Sequence, residues 1–306
     1  MKKDILSILD ITKDELTEIL DNAARLKAER ASGAINNELP RKTLGMIFEK
    51  ASTRTRISFE AGMFELGGHA LFLNPHDMQL GRGEDIKDTA RVLSRFLSAI
   101  MIRAYSHSTV EELAANSSVP VINGLSDLEH PCQILADLLT LKEHFGDLSN
   151  LSVAWVGDGN NVCNSLILVS ALTGFSVRVS TPKGYRPPAE ILEKADKAGA
   201  HYEIFDRPEE AVKGVDAIFT DTWISMGDES EKKERIRAFD GYTVDETLLS
   251  HAASNAVVMH CLPAHRGEEI TDSVIEGPRS LIWDEAENRM HAQKALLVML
   301  LGKGSI

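Results

Sequence analysis

The chain has 306 residues, of which 43% are hydrophobic and 26% charged, and its formal net charge is −13. This length predicts two domains, each long enough to bury a core of its own. The acidic balance argues against general nucleic-acid binding, which requires a basic surface, but it is compatible with a local basic pocket for an anion.

The remaining composition predicts a cytoplasmic protein. No apolar run in the sequence reaches the length of a membrane span, and the first residues lack the apolar core and cleavage site of a secretory signal. The three cysteines, Cys132, Cys163 and Cys261, are far apart and odd in number. A disulfide framework is therefore not expected, and a reducing compartment is the default.

Short β-branched runs alternate with helical patterns along the whole chain. The first half predicts strands at 43–49, 69–74, 99–104 and 118–123, and helices at 56–68, 84–96 and 130–146. The second half predicts strands at 151–157, 175–180, 201–205, 215–220 and 256–260, and a last helix at 284–302. Near-continuous apolar strands that alternate with helices form parallel sheets covered on both faces. We therefore expect an α/β protein with two domains, each a parallel β-sheet flanked by helices, and an active site in the cleft between them.

The loop after the first predicted strand, ASTRTRISFE (51–60), predicts an anion site. Hydroxyl and guanidinium groups alternate there at the start of a helix, where unsatisfied N–H groups and the helix dipole favour anions. Cations at a helix N-terminus oppose that dipole, so a bound phosphate is a better explanation for Arg54 than a surface role. Arg56 has a structural alternative, an ion pair with Glu60 one turn later.

This loop also resembles the Ser-Thr-Arg-Thr-Arg signature of the aspartate/ornithine carbamoyltransferase family. The other motifs of that family follow in order: MIRAYSH, HPCQ, DGNN, DTWISMG, HCLPAHRGEE and EAENRMHA. DTWISMG and HCLP resemble the ornithine branch and not the aspartate branch. The resemblance implies a carbamoyl-phosphate-binding domain at 1–147, completed by a C-terminal helix at 285–306, and an ornithine-binding domain at 148–284.

The family's activity is the transfer of the carbamoyl group of carbamoyl phosphate to the δ-amine of L-ornithine, which gives L-citrulline and phosphate. The resemblance therefore implies an enzyme of arginine metabolism that needs no metal and no organic cofactor. It further implies a homotrimer or an assembly of trimers, without a nucleic-acid or membrane partner. The direction of the reaction in the cell is left open.

The resemblance also implies a set of site residues. For carbamoyl phosphate they are Ser52, Thr53, Arg54, Thr55, Gln79, Arg103, His130, Gln133, Cys261, Leu262 and Arg289, with Gln79 reaching a neighbouring subunit. For ornithine they are Asn161, Asp221, Ser225, Met226 and Cys261. The residues implied to be catalytic are Thr55, Arg103, His130 and Cys261. Thr55, Arg103 and His130 would face the carbonyl oxygen, on which negative charge develops during attack.

Several alternatives compete with this interpretation. Arg289 could be a surface arginine paired with Glu285, and Asn161 could cap a helix. A carbamoyltransferase for putrescine, N-acetylornithine or aspartate, and a ligand-binding relative without activity, are further possibilities. A nicotinamide-dependent oxidoreductase is disfavoured, because Val162 stands where the third glycine of G-x-G-x-x-G belongs.

The stretch HCLPAHRGEEI (260–270) could suggest a metal site or a cysteine nucleophile. Its spacing matches no standard zinc pattern, and a nucleophile is unnecessary because an amine can attack the carbamoyl carbon directly. The resemblance instead implies that the Cys261 sulfur and the Leu262 carbonyl accept hydrogen bonds from the reacting nitrogens. Arg266 is interpreted as an ion-pair residue, and His265 receives no role.

Overall fold

The computed structural model describes residues 2–79, 83–224 and 231–302. The chain forms two compact units. Unit 1 comprises Met1–Leu139 and Glu287–Ile306, and unit 2 comprises Thr140–Ala286. Each unit contains one parallel β-sheet with helices, so the predicted α/β class with two parallel sheets is confirmed.

The sheet of unit 1 has the strand order β2-β1-β3-β4. Its strands are β1 (Thr43–Phe48), β2 (His69–Leu73), β3 (Ala99–Arg103) and β4 (Val121–Leu125). All three pairings are parallel. The central strand β3 is buried at every position, whereas the edge strand β2 is largely exposed. Side chains from β3 pack with Ala90, Val110 and Leu113 to form one core cluster.

The sheet of unit 2 has the order β7-β6-β5-β8-β9, also parallel throughout. Its strands are β5 (Ser152–Val156), β6 (Ser176–Ser180), β7 (Tyr202–Phe205), β8 (Ala217–Thr220) and β9 (Val257–His260). The strand order turns at β5, where β6 and β8 lie on opposite sides. Loops that leave the carboxyl ends of such neighbouring strands line a crevice, which is the usual ligand position in open α/β sheets.

Helices connect the strands of both sheets. Their bounds are α1 (Lys13–Ala31), α2 (Thr53–Glu65), α3 (Ile86–Leu93), α4 (His107–Asn116), α5 (Pro131–Phe145), α6 (Asn161–Thr173), α7 (Ala189–Ala198), α8 (Pro208–Ala211), α9 (Lys232–Ala238), α10 (Glu246–Leu249), α11 (Asp272–Ile275) and α12 (Ile282–Leu301). The chain passes from one unit to the other within α5 and again within α12. In the part of the chain that the structure describes, no helix is both long enough and apolar enough to cross a membrane.

Side-chain caps mark the starts of α1 and α2. Ser52 caps α2 by accepting a hydrogen bond from the Thr55 N–H, so that the helix begins three residues before the predicted start at 56. Thr12 and Glu15 form a capping box at the start of α1, a helix that the sequence analysis had not predicted. These caps satisfy N–H groups that have no partner within the helix.

Candidate active site

The start of α2 lies directly after the buried strand β1 and carries Arg54 and Thr55. Thr55 is buried and Arg54 is half-buried, whereas Thr53 is exposed. The Ser52 Oγ accepts a hydrogen bond from the Thr55 N–H, with 3.2 Å between oxygen and nitrogen. The first turn of the helix therefore presents its N–H groups and a guanidinium group at the carboxyl end of the sheet, as an anion site requires.

The Arg56 side chain contacts Glu60 and Phe72. Its Nε lies 2.9 Å from Glu60 Oε1, and its guanidinium carbon lies 3.8 Å from the centre of the Phe72 ring. The predicted ion pair with Glu60 is thus confirmed. Both charged side chains are well exposed, so the pair contributes little to stability.

Arg103 ends β3 beside the α2 loop. Parallel pairing sets Arg103 opposite Phe48, the last residue of β1, and the Glu49 N–H donates to the Arg103 carbonyl at 2.9 Å. The Arg103 side chain is buried. A guanidinium group matches the oxygens of a phosphate or carboxylate group, so its position at the carboxyl edge of the sheet suits an anionic ligand.

Arg289 lies on α12 and is 3% exposed, so the surface-arginine alternative is wrong. One of its terminal nitrogens donates to the Gln133 side-chain oxygen, and the other donates to the Thr55 hydroxyl at 2.8 Å. These contacts join α12, the first turn of α5 and the first turn of α2. The structure therefore brings together three motifs that lie far apart in the sequence.

His130 occupies the capping position of α5, where its carbonyl accepts hydrogen bonds from the Gln133 and Ile134 N–H groups at 3.0 and 3.3 Å. Burial lowers the pKa of the imidazole well below 6.5, and the positive charges of Arg289, Arg103 and Arg54 lower it further. The ring is consequently neutral at pH 7, and it can offer one N–H donor without adding positive charge.

We call the cluster in unit 1 the arginine site. It consists of Arg54, Thr55, Arg103, His130, Gln133 and Arg289. Gln79 is exposed, and its backbone carbonyl accepts from the Glu84 N–H at 3.1 Å. The role that the sequence implied for Gln79, across a subunit boundary, stays a prediction.

In unit 2 the carboxylate of Asp221, just after β8, is the centre of a second cluster. One oxygen accepts from the Asn160 amide at 2.8 Å, and the other accepts from the Thr222 N–H at 2.8 Å and from the Cys261 sulfur at 3.1 Å. Asp221 is buried. We call Asn160, Asp221 and Cys261 the carboxylate site, because a buried carboxylate with neutral donors attracts an ammonium group.

Asn160, and not Asn161, caps α6. Its side-chain oxygen accepts from the Val162 and Cys163 N–H groups at 3.0 and 3.2 Å, while its amide nitrogen donates to Asp221. The alternative of a capping role for Asn161 is therefore wrong, because the helix begins at Asn161 itself, one residue earlier than that role requires. Asn161 lies half-buried at the first position of the helix.

The segment after β9 is held by a buried hydrogen-bond network. The Leu262 N–H donates to His260 Nδ1 at 2.9 Å, so Nδ1 is an acceptor and Nε2 carries the proton that it shares with Glu269 at 3.1 Å. Glu269 also accepts from the His265 N–H at 2.6 Å, and Glu285 accepts from the His260 N–H at 2.8 Å. This network sets the position of Cys261 relative to Asp221.

His265 and Arg266 also have defined contacts. The His265 ring lies 3.0 Å from the Thr222 hydroxyl, so it links the segments that follow β8 and β9. Arg266 pairs with Asp272 and with Glu276, which confirms its interpretation as an ion-pair residue. No local sequence pattern predicts the His265 contact, because it depends on the pairing of β8 with β9.

Ligand atoms of Asp221, His260 and Cys261 lie within 4.8 Å of one another, as do those of His265, Glu268 and Glu269. In the first group the histidine nitrogens already serve Leu262 and Glu269, so a metal ion would have to displace one of these hydrogen bonds. The contacts are those of a hydrogen-bonded loop.

Arg235 is a residue that the sequence analysis missed. It donates to Asp158 at 3.0 Å and to the Trp223 carbonyl at 2.9 Å, and it lies over the Tyr185 ring. It thereby ties the loop after β5 to the loop after β8. Ser225 and Met226, which were predicted to bind ornithine, lie outside the described residues.

Comparison with known proteins shows the family of the chain that carries these two clusters. The family model "Aspartate/ornithine carbamoyltransferase, carbamoyl-P binding domain" matches residues 3–143, and "Aspartate/ornithine carbamoyltransferase, Asp/Orn binding domain" matches residues 149–300. The ornithine carbamoyltransferase of Methanoculleus marisnigri is 62% identical over 99% of this chain and 98% of its own length. That of Archaeoglobus fulgidus is 58% identical over 99% of each chain.

A solved structure supports the same family assignment. The ornithine carbamoyltransferase from Pyrococcus furiosus is 49% identical and has a TM-score of 0.94, over 99% of this chain and 98% of that one. The matches span both units and include every motif that the sequence analysis quoted. The chain belongs to the aspartate/ornithine carbamoyltransferase family.

Proposed function

We propose that this protein transfers the carbamoyl group of carbamoyl phosphate to the δ-amine of L-ornithine and releases L-citrulline and phosphate. The arginine site carries the proposal, because three guanidinium groups surround a neutral imidazole at the start of two helices. Such a site suits a dianionic phosphate joined to a carbonyl group. The names of relatives that match 99% of the chain support ornithine as the acceptor.

In this proposal the start of α2 holds the phosphate. The residues that contribute are Ser52, Thr53, Arg54 and Thr55, together with Arg103 and Arg289. The N–H groups of the first turn and the guanidinium forks donate to the phosphate oxygens. Thr55, Arg103 and His130 stabilise the negative charge that develops on the carbonyl oxygen during attack. A neutral His130 donates to that oxygen without contributing a positive charge of its own.

The carbamoyl NH₂ needs an acceptor, and Gln133 supplies its side-chain oxygen. In the structure this oxygen accepts from Arg289, so the guanidinium occupies the position that a ligand group takes when carbamoyl phosphate binds. When carbamoyl phosphate binds, its NH₂ group would therefore replace Arg289 as the donor to the Gln133 oxygen, and Arg289 would donate to the ligand instead. This exchange links binding of the NH₂ group to the orientation of Arg289.

The carboxylate site receives ornithine. Asp221 attracts the α-ammonium group, and Asn161 and the segment that contains Ser225 and Met226 take the α-amino-acid end. The Cys261 sulfur and the Leu262 carbonyl accept hydrogen bonds from the reacting nitrogens. The network through His260 and Glu269 supports this role, because it holds Cys261 against Asp221.

The chemical step is a direct substitution. The δ-nitrogen attacks the carbamoyl carbon, the bond from that carbon to the bridging oxygen breaks, and phosphate leaves with the electron pair and takes up the amine proton. The amine must be neutral, although a free alkyl amine has a pKa of about 10.4. Positive charge from the arginine site and exclusion of water lower that pKa, while positioning accelerates the attack.

Competing amines provide the test of this function. Steady-state rates with ornithine, putrescine, N-acetylornithine and aspartate are expected to show citrulline formation with ornithine at a kcat/KM far above the others. Putrescine lacks the α-carboxylate and N-acetylornithine lacks the α-ammonium, so each isolates one interaction. A higher rate with any of the other amines would assign a different acceptor.

We further propose that the domain boundaries are 1–147 with 285–306 for carbamoyl phosphate, and 148–284 for ornithine. The family models support the first boundary, since they meet between residues 143 and 149, although the Asp/Orn model runs on to residue 300. The compact units support the assignment of the C-terminal helix, because the chain returns to unit 1 at Glu287. Phosphate binding measured with variants of Arg103 and Asp221 tests it. Only the Arg103 variant should weaken phosphate binding.

The proposed assembly is a homotrimer or an assembly of trimers in the cytoplasm, where the thiols stay reduced. Exposed apolar side chains on unit 1 support an assembly, because such side chains usually mark contact surfaces: Ile57, Leu71, Phe72 and Phe96. Light scattering should give three times the 33.6 kDa chain mass, or a multiple of that. Cell fractionation tests the compartment.

A further inference from the structure

The amide of Gln133 has a defined orientation in the structure. Its nitrogen donates to Asp137 Oδ1 at 2.8 Å, and its oxygen accepts from Arg289. A guanidinium group has only donors, and a carboxylate has only acceptors. The reversed amide would place donor against donor at Arg289 and acceptor against acceptor at Asp137, so only one of its two orientations fits.

Asp137 is buried on α5, one helical turn after Gln133. Leu135, Leu138 and Leu139 around it on the same helix are fully buried and apolar. A carboxylate costs free energy in such surroundings unless it is hydrogen-bonded, and a leucine there would cost nothing of that kind. The residue type therefore points to a role in which an acceptor is required.

The consequence of the amide orientation extends to Thr55. When the Gln133 oxygen faces Arg289, one guanidinium nitrogen is held there and the other reaches the Thr55 hydroxyl at 2.8 Å. Asp137, Gln133, Arg289 and Thr55 thus form one hydrogen-bonded chain. Its far end lies at the start of α2, in the proposed phosphate site.

We propose that Asp137 is a positioning residue that fixes the Gln133 amide so that its oxygen faces the NH₂ group of carbamoyl phosphate. This inference rests on the proposed function, in which Gln133 accepts from that group. Asp137 does not touch the substrate. Without Asp137, the Gln133 amide can rotate and present its own NH₂ to the ligand. An NH₂ donor at this position repels the NH₂ of a ligand amide and pairs with the oxygen of a ligand carboxylate, so the site would then prefer the carboxylate.

Two stable ligands separate this role from a merely structural one. Phosphonoacetamide carries an amide where carbamoyl phosphate carries its NH₂ and carbonyl, and phosphonoacetate carries a carboxylate in the same place. Binding of each to the full-length protein is measured by calorimetry. The ratio of the two dissociation constants reports the Gln133 orientation, whereas general damage to the site weakens both ligands alike.

In Asp137→Leu, the ratio is expected to move toward phosphonoacetate by roughly 5- to 150-fold, the effect of leaving a buried polar group without its partner. Asp137→Asn retains an acceptor oxygen and should stay near the wild-type ratio. The proposal would be overturned if Asp137→Leu bound both ligands more weakly by the same factor. It would also be overturned if the wild-type protein bound both ligands with the same affinity.

A second pair of variants keeps the test decisive if Asp137→Leu does not fold. Gln133→Glu places two carboxylates against each other, which should reduce phosphonoacetamide binding and restore it partly at lower pH. Adding Asp137→Asn supplies an NH₂ donor to the new carboxylate, so the double variant should bind at least tenfold better than Gln133→Glu alone. Additive losses would contradict the proposal.

These binding measurements do not depend on turnover. If the ratio shifts as expected in Asp137→Leu but the wild-type protein forms no citrulline, the proposed function is refuted and the role of Asp137 in orienting Gln133 is supported. A protein that forms citrulline but shows the same ratio in wild type and Asp137→Leu would refute the role of Asp137 alone.

Discussion

The arginine site and the carboxylate site differ in how their charges are compensated. In the arginine site, burial lowers the pKa of His130, and the charges of three nearby guanidinium groups, Arg289, Arg103 and Arg54, lower it further. In the carboxylate site, Asp221 already accepts hydrogen bonds from Asn160, Thr222 and Cys261. The first site gathers three positive charges near one neutral ring, whereas the second surrounds its one negative charge with neutral donors.

This difference indicates which substrate depends more on electrostatics. An anion gains from several fixed positive charges at once, and the same charges stabilise the oxyanion during attack. An ammonium group at Asp221 gains one charge interaction and competes with donors that are already in place. Loss of an arginine should therefore be more severe than loss of the carboxylate.

The largest effect is expected for Arg103→Gln. Removing a donor from the developing oxyanion lowers kcat/KM by roughly 10²- to 10³-fold. Arg91→Gln is the matched control, because Arg91 is an exposed arginine of the same unit that pairs with Asp88. A similar decrease in kcat/KM in both variants would contradict a catalytic role for the arginine site.

Asp221→Asn should have a smaller and more selective effect. The amide retains most of the hydrogen bonds but loses the charge, so the KM for ornithine should rise roughly 10- to 100-fold while binding of phosphonoacetamide stays constant. Asp240→Asn, at an exposed position of unit 2, serves as the control. A change in phosphonoacetamide binding would contradict the separation of the two sites.

The neutral state of His130 predicts a pH dependence of stability. Burial and the charges of Arg289, Arg103 and Arg54 lower its pKa in the folded state, so between that pKa and 6.5 the unfolded chain binds the extra proton. Stability should therefore fall as pH drops below about 6.5, by up to about 1.4 kcal/mol per pH unit.

Urea unfolding of wild type and His130→Asn between pH 5 and 7 measures this slope. The slope should be shallower in the variant, but it should not vanish, because burial and the charge of Lys294 lower the pKa of His291 as well. Identical slopes in both proteins would mean that His130 does not carry a depressed pKa.

The smallest kinetic effect is expected for Cys261→Ser. A hydroxyl can accept the same hydrogen bond as the sulfur, so kcat should fall less than about tenfold. A cysteine nucleophile would instead lose nearly all activity on this change. In the wild-type protein a thiol reagent should modify Cys261 alone, because burial raises the pKa of Cys132 to about 12 and that of Cys163 well above 9.

Sequence patterns sufficed for the strands and for most of the arginine site. The apolar runs that became β1 to β9 are local signals, and motifs such as STRTR and HPCQ place their residues at strand ends and helix starts. The position of α1 was missed although its capping box, Thr12 with Glu15, was present. Its buried apolar residues recur at helical spacing as well, so this helix was also predictable from local sequence: Leu16, Ile19, Leu20, Ala23 and Leu26.

The remaining features depend on contacts between distant segments. Whether Asn160 or Asn161 caps α6 is decided by a one-residue difference in where the helix begins. Arg235 donates to Asp158 and to the Trp223 carbonyl, which lie 77 and 12 residues away in the sequence. Asp137 acquires its role from Arg289, which no local signal indicates because it lies on a helix more than 100 residues away. No local pattern encodes these pairings.

The central claim is that the two sites together carry out carbamoyl transfer to ornithine. A single-turnover experiment tests it most directly: the protein, in excess over carbamoyl phosphate labelled in its carbonyl carbon, is mixed with ornithine and quenched. The account predicts labelled citrulline and one phosphate for each carbamoyl group consumed, with both formed roughly 10²- to 10³-fold more slowly in Arg103→Gln. Phosphate release without citrulline, in a folded protein at any pH from 6 to 9, would contradict it.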